Sequence, residues 1–201
     1  ETEWDADKQK EIWTTPKRIF TGNKISREEF VGKFSVIPGE DWLELNSYDT
    51  TLIEIPDSAL KKQLVSQYDA DCDGELSYGE MNSIEFLNAA NCGITDLTGL
   101  EYLLNLSVLN CSNNALTSLP ENLSEQLTEL DCSKNQLTTL SLGHAAETLT
   151  SLNCAENALT ELQLSAFPAL LSLDCHGNTA LQSLTVPESA LLETLNCAQC
   201  S

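Results

Sequence analysis

The sequence predicts an α+β chain: a parallel-β solenoid preceded by a small helical element. Three observations carry that prediction. A leucine–cysteine–asparagine pattern recurs six times, 21 or 22 residues apart. Leucine is concentrated in that stretch, with 6 in residues 1–83 and 28 in residues 84–201, whereas nine large aromatics from Trp4 to Tyr78 crowd the first part. A twelve-residue acidic loop, 69–80, with glycine at its sixth position, stands just before the first repeat. These shifts divide the chain into a small α+β segment (1–52), a helical cap (53–83) and the solenoid (84–201).

The repeat units begin at Ile84, Leu106, Leu127, Leu149, Leu170 and Leu192, giving about five and a half units. In the second unit the pattern reads Leu106, Leu109, Cys111, Asn114, Leu116, and it returns as Leu127, Leu130, Cys132, Asn135, Leu137 and as Leu149, Leu152, Cys154, Asn157, Leu159. The Leu-x-Cys alternation has period two, which turns Leu109 and Cys111 to one face of a short strand. No unit can bury that face alone, so neighbours must stack into a parallel sheet over a continuous core. The asparagine falls where each strand turns, where a buried amide can bond backbone groups of its own and the adjacent coil. Second pairs such as Leu140/Leu142 and Leu162/Leu164 are placed on the convex side of the core. Residues 84–201 resemble the leucine-rich repeat family.

Eight cysteines invite a disulfide reading, but their register opposes it. Cys111, Cys132, Cys154, Cys175 and Cys197 share one inward position, while Cys92 and Cys200 fall at the asparagine position. Column neighbours would lie about 4.8 Å apart with parallel Cβ vectors, which suits neither the Cβ spacing nor the torsion of a disulfide. A ladder of reduced, apolar thiols is expected.

The acidic loop runs Asp69-Ala-Asp71-Cys-Asp73-Gly74-Glu75-Leu76-Ser77-Tyr-Gly-Glu80. It resembles the EF-hand calcium loop, with oxygen donors at positions 1, 3, 5, 7, 9 and 12. The expected ligands for Ca²⁺ are Asp69, Asp71, Asp73, the backbone carbonyl of Glu75, Ser77, and Glu80 as the closing bidentate carboxylate. Calcium takes six to eight oxygens, so the chain must wrap around it, and Gly74 permits the sharp turn. The plain alternative is an acidic surface turn that binds nothing. Asp57 to Tyr68, after Pro56, reads as the entering helix with Leu60 and Leu64 on one face, and Ser77 with Glu80 as a capping box for the exit helix. A second loop for Leu76 to pair with is lacking, so the element is expected to act as a structural cap over the open end of the solenoid.

Residues 53–201 as a combination, from Ile55-Pro56-Asp57 through the loop to Gly93-Ile94-Thr95-Asp96-Leu97 and the cysteine-bearing repeats, resemble exported leucine-rich repeat proteins of gut bacteria of the Bacteroides type. That resemblance implies a secreted or cell-surface setting with a lipid anchor, the chain being a mature form without its signal peptide. In the first fifty residues, Ser26 to Glu29 forms a capping box before Phe30 and Phe34, and Leu43 and Leu45 alternate as in a strand. Trp4, Trp13 and Trp42 are expected to serve as core; the alternative is an exposed patch that binds glycans.

On the concave face, one outward column reads Asn88, Asn110, Asp131, Asn153, Asp174, Asn196. It is read either as a hydrogen-bond ladder that solvates the sheet or as a surface for a polar or cationic partner, with a second Ca²⁺ bridging Asp131 or Asp174. The net charge of −21 disfavours nucleic acid and anionic membranes. No apolar run is long enough for a transmembrane segment. Only His144 and His176 are present, and no motif places a nucleophile beside them. The function expected is a non-catalytic interaction module that binds a protein or peptide ligand. The last unit lacks a polar closing element, so either the chain continues or two copies pair end to end.

Overall fold

Short segments of alternating burial become strands here only because an equivalent segment lies 21 or 22 residues away along the chain to pair with. The computed structural model describes residues 51–185 and 191–200. The expectations for residues 1–50, including the Ser26 helix start, the Leu43–Leu45 strand and the three tryptophans, lie outside the described residues. Among the described residues, eight three-residue strands follow two helices, α1 (Ser58–Tyr68) and α2 (Tyr78–Asn82). Strands β1 (Phe86–Asn88), β2 (Val108–Asn110), β3 (Glu129–Asp131), β4 (Ser151–Asn153), β6 (Ser172–Asp174) and β8 (Thr194–Asn196) form one parallel sheet in that order. Their register places Leu87, Leu109, Leu130, Leu152, Leu173 and Leu195 in one column. The offsets match the spacing read from the repeats. The fold is thus a leucine-rich repeat parallel-β solenoid.

The opposite, convex wall is less regular. Strands β5 (Glu161–Gln163) and β7 (Ser183–Thr185) pair in parallel, and single 3₁₀ turns occupy Leu100–Tyr102, Gly143–Glu147 and Leu164–Ala166. Leu142, Leu162 and Leu164 are buried in this wall as expected, while Leu140 is only half-buried. One hydrophobic cluster runs without a break from Ile53 to Leu181, and Ile84, where the composition changes, lies inside it.

Cys111, Cys132, Cys154 and Cys175 are fully buried in a column beside the leucines, and all eight cysteines are free thiols. Burial pushes the thiols of Cys111 and Cys175 up to about 12 and raises those of Cys132 and Cys154 as well. A thiol so far from ionising is neither a nucleophile nor a metal ligand at neutral pH. Cys197 departs from the column: it is exposed, as is the whole of β8, the outermost strand of the described sheet.

Strands β2, β3, β4 and β6 each end in the asparagine bracket anticipated from the repeats. The Nδ2 of Asn157 donates to the carbonyls of Cys154 and Ala155 in its own coil and of Cys132 in the preceding one, at 3.1–3.2 Å, and its Oδ1 accepts from the Leu137 amide at 3.0 Å. Asn114, Asn135 and Asn178 repeat this pattern. At the same position, the Cys200 thiol reaches back to the Cys175 carbonyl at 3.3 Å, a single weak bond where the amide makes several.

Two further columns were not read from the sequence. The hydroxyls of Ser107, Thr128 and Thr150, just before their strands, each donate to the carbonyl one coil back at 2.9–3.1 Å. Asn91, Asn113, Lys134, Glu156, Gly177 and Gln199, one per coil, all have positive φ between 52° and 72°. That conformation costs a non-glycine residue about 1–2 kcal/mol, so the tight turn is imposed by the brackets around it. The visible hints were Gly177 and the two asparagines, which tolerate the left-handed region best.

Replacing Asn157 with alanine leaves the buried Leu137 amide and three carbonyls without this partner. The expected loss is about 3 kcal/mol of stability in urea unfolding. Asn153→Ala, on the solvent side of the same coil, is expected to cost about 1 kcal/mol or less.

Candidate metal loop and concave face

Helix α1 is opened by Asp57, whose Oδ1 accepts from the Ala59 and Leu60 amides at 2.9 and 3.0 Å. It runs for eleven residues, buries Leu60 and Leu64, and delivers the chain into the acidic loop at Asp69. Within the loop, Cys72 and Gly74 take positive φ of 59° and 83°. The left-handed turn at Gly74 is what lets the backbone curl back over its own carboxylates. Asp69 accepts from the Gly74 amide at 2.8 Å and, with Asp71, from the Asp73 amide at 3.1 Å; Asp73 accepts from the Glu75 amide at 2.8 Å. Burial works slightly against ionisation of Asp69, but these amide donors prevail and hold its carboxyl below the usual carboxylate range.

The folded loop brings one carboxylate oxygen each of Asp69, Asp71 and Asp73 within 4.8 Å of one another. The remaining expected ligands take other partners. Ser77 caps α2, and Glu80 accepts from the Ser77 amide and hydroxyl at 2.9 and 2.8 Å, which completes the capping box. The other Glu80 oxygen accepts from the Ala70 amide at 2.8 Å, so the last residue of the loop is tied to its second. The Glu75 side chain is turned away to Lys61 at 2.6 Å, which leaves its backbone carbonyl as the group it can offer a metal. A hard, all-oxygen donor set of this kind fits Ca²⁺.

Leu76 meets an extended segment of the chain where a second loop is lacking. Residues 51–53 lie antiparallel to the loop: the Ile53 amide donates to the Leu76 carbonyl and the Tyr78 amide to the Thr51 carbonyl, both at 2.8 Å. In this way an extended segment of the same chain is bonded to the backbone of the acidic loop on both sides of Ser77. The signal was the alternation Leu52-Ile53-Glu54-Ile55, with Ile53 and Ile55 buried and the residues between them exposed.

From this element, contacts run to the first coil. The Gln63 side chain donates to the Asn88 carbonyl at 2.8 Å and the Tyr68 hydroxyl to the Phe86 carbonyl, both on the free edge of β1. Helix α1 therefore blunts the exposed strand edge. Tyr78 of α2 meets Tyr102 edge-on at 6.3 Å, and Asn105 donates to the Asn82 carbonyl at 2.8 Å. Asp57 serves both sides: its second oxygen accepts from the Thr95 amide and hydroxyl and from the Asp96 amide at 2.8–3.2 Å. Its sequence position marked it only as a helix start.

On the concave face, the Asn/Asp column makes no cross-strand ladder along most of its length. Each side chain turns back on its own chain: the Oδ1 atoms of Asn88, Asn110, Asp131, Asn153, Asp174 and Asn196 accept from the amide two residues on, at 3.0–3.3 Å. These turns end each strand and lead into the left-handed residue. One cross-strand bond occurs, from Asn196 to Asp174 at 3.1 Å. A second calcium at Asp131 or Asp174 finds no support. Asp131 is engaged by the Ser133 amide and hydroxyl, and Asp174 by His176; among the described residues the clustered carboxylates are those of Asp69, Asp71 and Asp73. The Nδ1 of His176 lies 2.6 Å from Asp174, and its Nε2 lies 3.8 Å from Glu156, which also faces Lys134 at 3.5 Å. Partial burial opposes ionisation of Asp174, yet the bonds from His176 and Asn196 hold its carboxyl below the usual range.

Asp57 supplies a pH prediction. Partial burial pushes its carboxyl up, but the bonds from Thr95, Leu60 and Ala59 outweigh that, and the net shift is downward. A carboxyl lowered on folding adds stability above its unfolded pKa of about 3.9, and that stability is lost as pH falls through the lower folded value. Thermal melts from pH 7 to pH 2 are expected to fall more steeply below about pH 4 for the native chain than for Asp57→Asn. The variant is expected to be less stable by about 1 kcal/mol at neutral pH.

Neither a family model nor a curated protein matches the chain. Solved structures do. The functional domain of InlJ from Listeria monocytogenes, which includes a cysteine ladder, is 29% identical with a TM-score of 0.59, over 73% of this chain and 37% of that one. Internalin C2 from the same organism is 24% identical with a TM-score of 0.56, over 73% of this chain and 76% of that one. An internalin encoded by inlF is 24% identical with a TM-score of 0.54, over 70% and 44% respectively. The chain thus spans less than half the length of two of these three structures. These likenesses bear out the solenoid fold, and the InlJ likeness extends to the column of inward cysteines described above.

Proposed function

We propose that this chain is a non-catalytic interaction scaffold, stabilised by calcium and displayed outside the cell, that takes a protein or peptide partner on its concave face. The observation that carries the reading is the six-stranded parallel sheet itself. Its outward side chains, from Phe86 and Val108 at one end through Glu129 and Asp131 in the middle, are spared by a core that fills entirely from the other side. Phe86 is 54% exposed, so this end offers an apolar anchor beside a weakly acidic field. Such a pairing suits a partner with an apolar knob and cationic neighbours. The likeness to internalins supports a partner-binding role and an external setting. No helix among the described residues is long and apolar enough to cross a membrane. Burial keeps the thiols of Cys111, Cys132, Cys154 and Cys175 protonated, and the Nδ1 of His176 is held by Asp174.

Photo-crosslinkers placed at Ser151 and Glu129 on intact producing cells test the face directly. A single protein adduct is expected from both positions, lost on Phe86→Ala and reduced at least tenfold by Asp131→Lys. An adduct that survives both variants would reject the concave reading. Glycan binding abolished by Trp42→Ala would move the function to the N-terminal segment.

Calcium stabilisation is supported by the three clustered carboxylates and by the bonds that join the loop to α1, α2 and residues 51–53. With Ca²⁺ at about a hundred times its dissociation constant, linkage adds about 2.7 kcal/mol. Chelation with EDTA is expected to lower the melting temperature by several degrees and to speed amide exchange at Ala89 and Asn91 in the first coil. Asp71→Asn is expected to melt alike with and without calcium. An unchanged melt of the native chain after chelation would overturn the calcium reading.

A further inference from the structure

The convex wall has a gap. Coil one carries a 3₁₀ turn at Leu100–Tyr102 and coil three a longer one at Gly143–Glu147, but the stretch between them in coil two, 118–124, runs without any helical segment. Two contiguous hollows of about 300 and 380 Å³ fill the place of the missing turn and share Glu101 and Asn122 in their lining. The far wall is held close to the floor. Gly143 has φ of 52°, and a Cβ there would come within 2.3 Å of the Glu121 carbonyl oxygen, so coil three reaches that position only with glycine.

Asp96, Glu101, Glu121 and Glu125 line the notch, with no lysine or arginine among them. None of the four forms an ion pair among the described residues. Two are fixed in place: Asp96 accepts from the Thr98 amide and hydroxyl at 2.9 and 2.8 Å, and Glu101 from the Gly99 amide at 2.7 Å. They do not gather into a cluster of three or more, as the carboxylates of the 69–80 loop do among the described residues. Beside them Leu104 is 50% exposed. Carboxylates spread along a groove with an apolar strip match a chain that carries several cations on aliphatic stems.

We propose that this notch docks an extended, lysine- or arginine-bearing peptide segment of a partner protein. The site is separate from the concave face and does not depend on what that face binds. Fluorescence anisotropy with a labelled hexapeptide of alternating lysine and leucine tests it, against the glutamate–leucine hexapeptide. The native chain is expected to bind the basic peptide and not the acidic one. The double variant Glu101→Gln/Glu125→Gln is expected to lose at least tenfold in affinity, while Glu161→Gln/Glu193→Gln, which removes the same charge from exposed positions outside both the notch and the concave face, changes it less than twofold. Leu104→Ser is expected to weaken the peptide several-fold and leave spermidine binding unchanged. Equal losses from the two double variants, displacement of the peptide by spermidine as readily as by unlabelled peptide, or no binding at all would each overturn the proposal.

Discussion

A three-residue strand with one inward leucine has nothing to pack against within its own coil. The regular part of the solenoid follows from the need to bring a neighbour to that leucine at the correct height. Parallel stacking in register does so, and it aligns everything else: leucine over leucine, thiol over thiol, amide over amide. Because each contact is with the adjacent coil, stability is close to a sum of local interfaces, and the weak points are the two ends.

Alignment alone would leave the backbone at each corner without partners, since the strands are too short to use up their own amides and carbonyls. Three side-chain columns supply them. The buried asparagines bracket the inside of the turn, the outward Asn and Asp side chains bond the amide two residues on, and the hydroxyls before each strand bond the coil behind. With both sides of the corner held, the intervening residue is driven into the left-handed region even when it is Lys134 or Glu156. The cysteines belong to this scheme as filling: small, apolar when buried, and narrow enough to stack at strand spacing.

The N-terminal end is closed by a different kind of element. Asp57 bonds the start of α1 with one oxygen and the Thr95 turn of the first coil with the other, and Gln63 and Tyr68 cover the free carbonyls of β1. The acidic loop is held between α1, α2 and residues 51–53, so an ion bound there would tighten the same contacts that shield the sheet edge. This places a cluster of exposed carboxylates in a position where its repulsion matters to the solenoid.

Periodicity by itself determined the number of coils, their register, the inward faces and the asparagine bracket, because each depends only on which residues recur at a fixed spacing. It also pointed to Asp69, Asp71 and Asp73, whose carboxylate oxygens the folded loop brings within 4.8 Å of one another. The partner of Leu76, the double role of Asp57, the local turns of the concave Asn and Asp column and the convex notch were decided by tertiary structure. Each joins residues with no repeating relation, such as Ile53 with Leu76 or Glu121 with Gly143, and is fixed by how one coil or cap element comes to rest on another. A pattern along the chain records what every coil shares; a contact made once leaves no period to read.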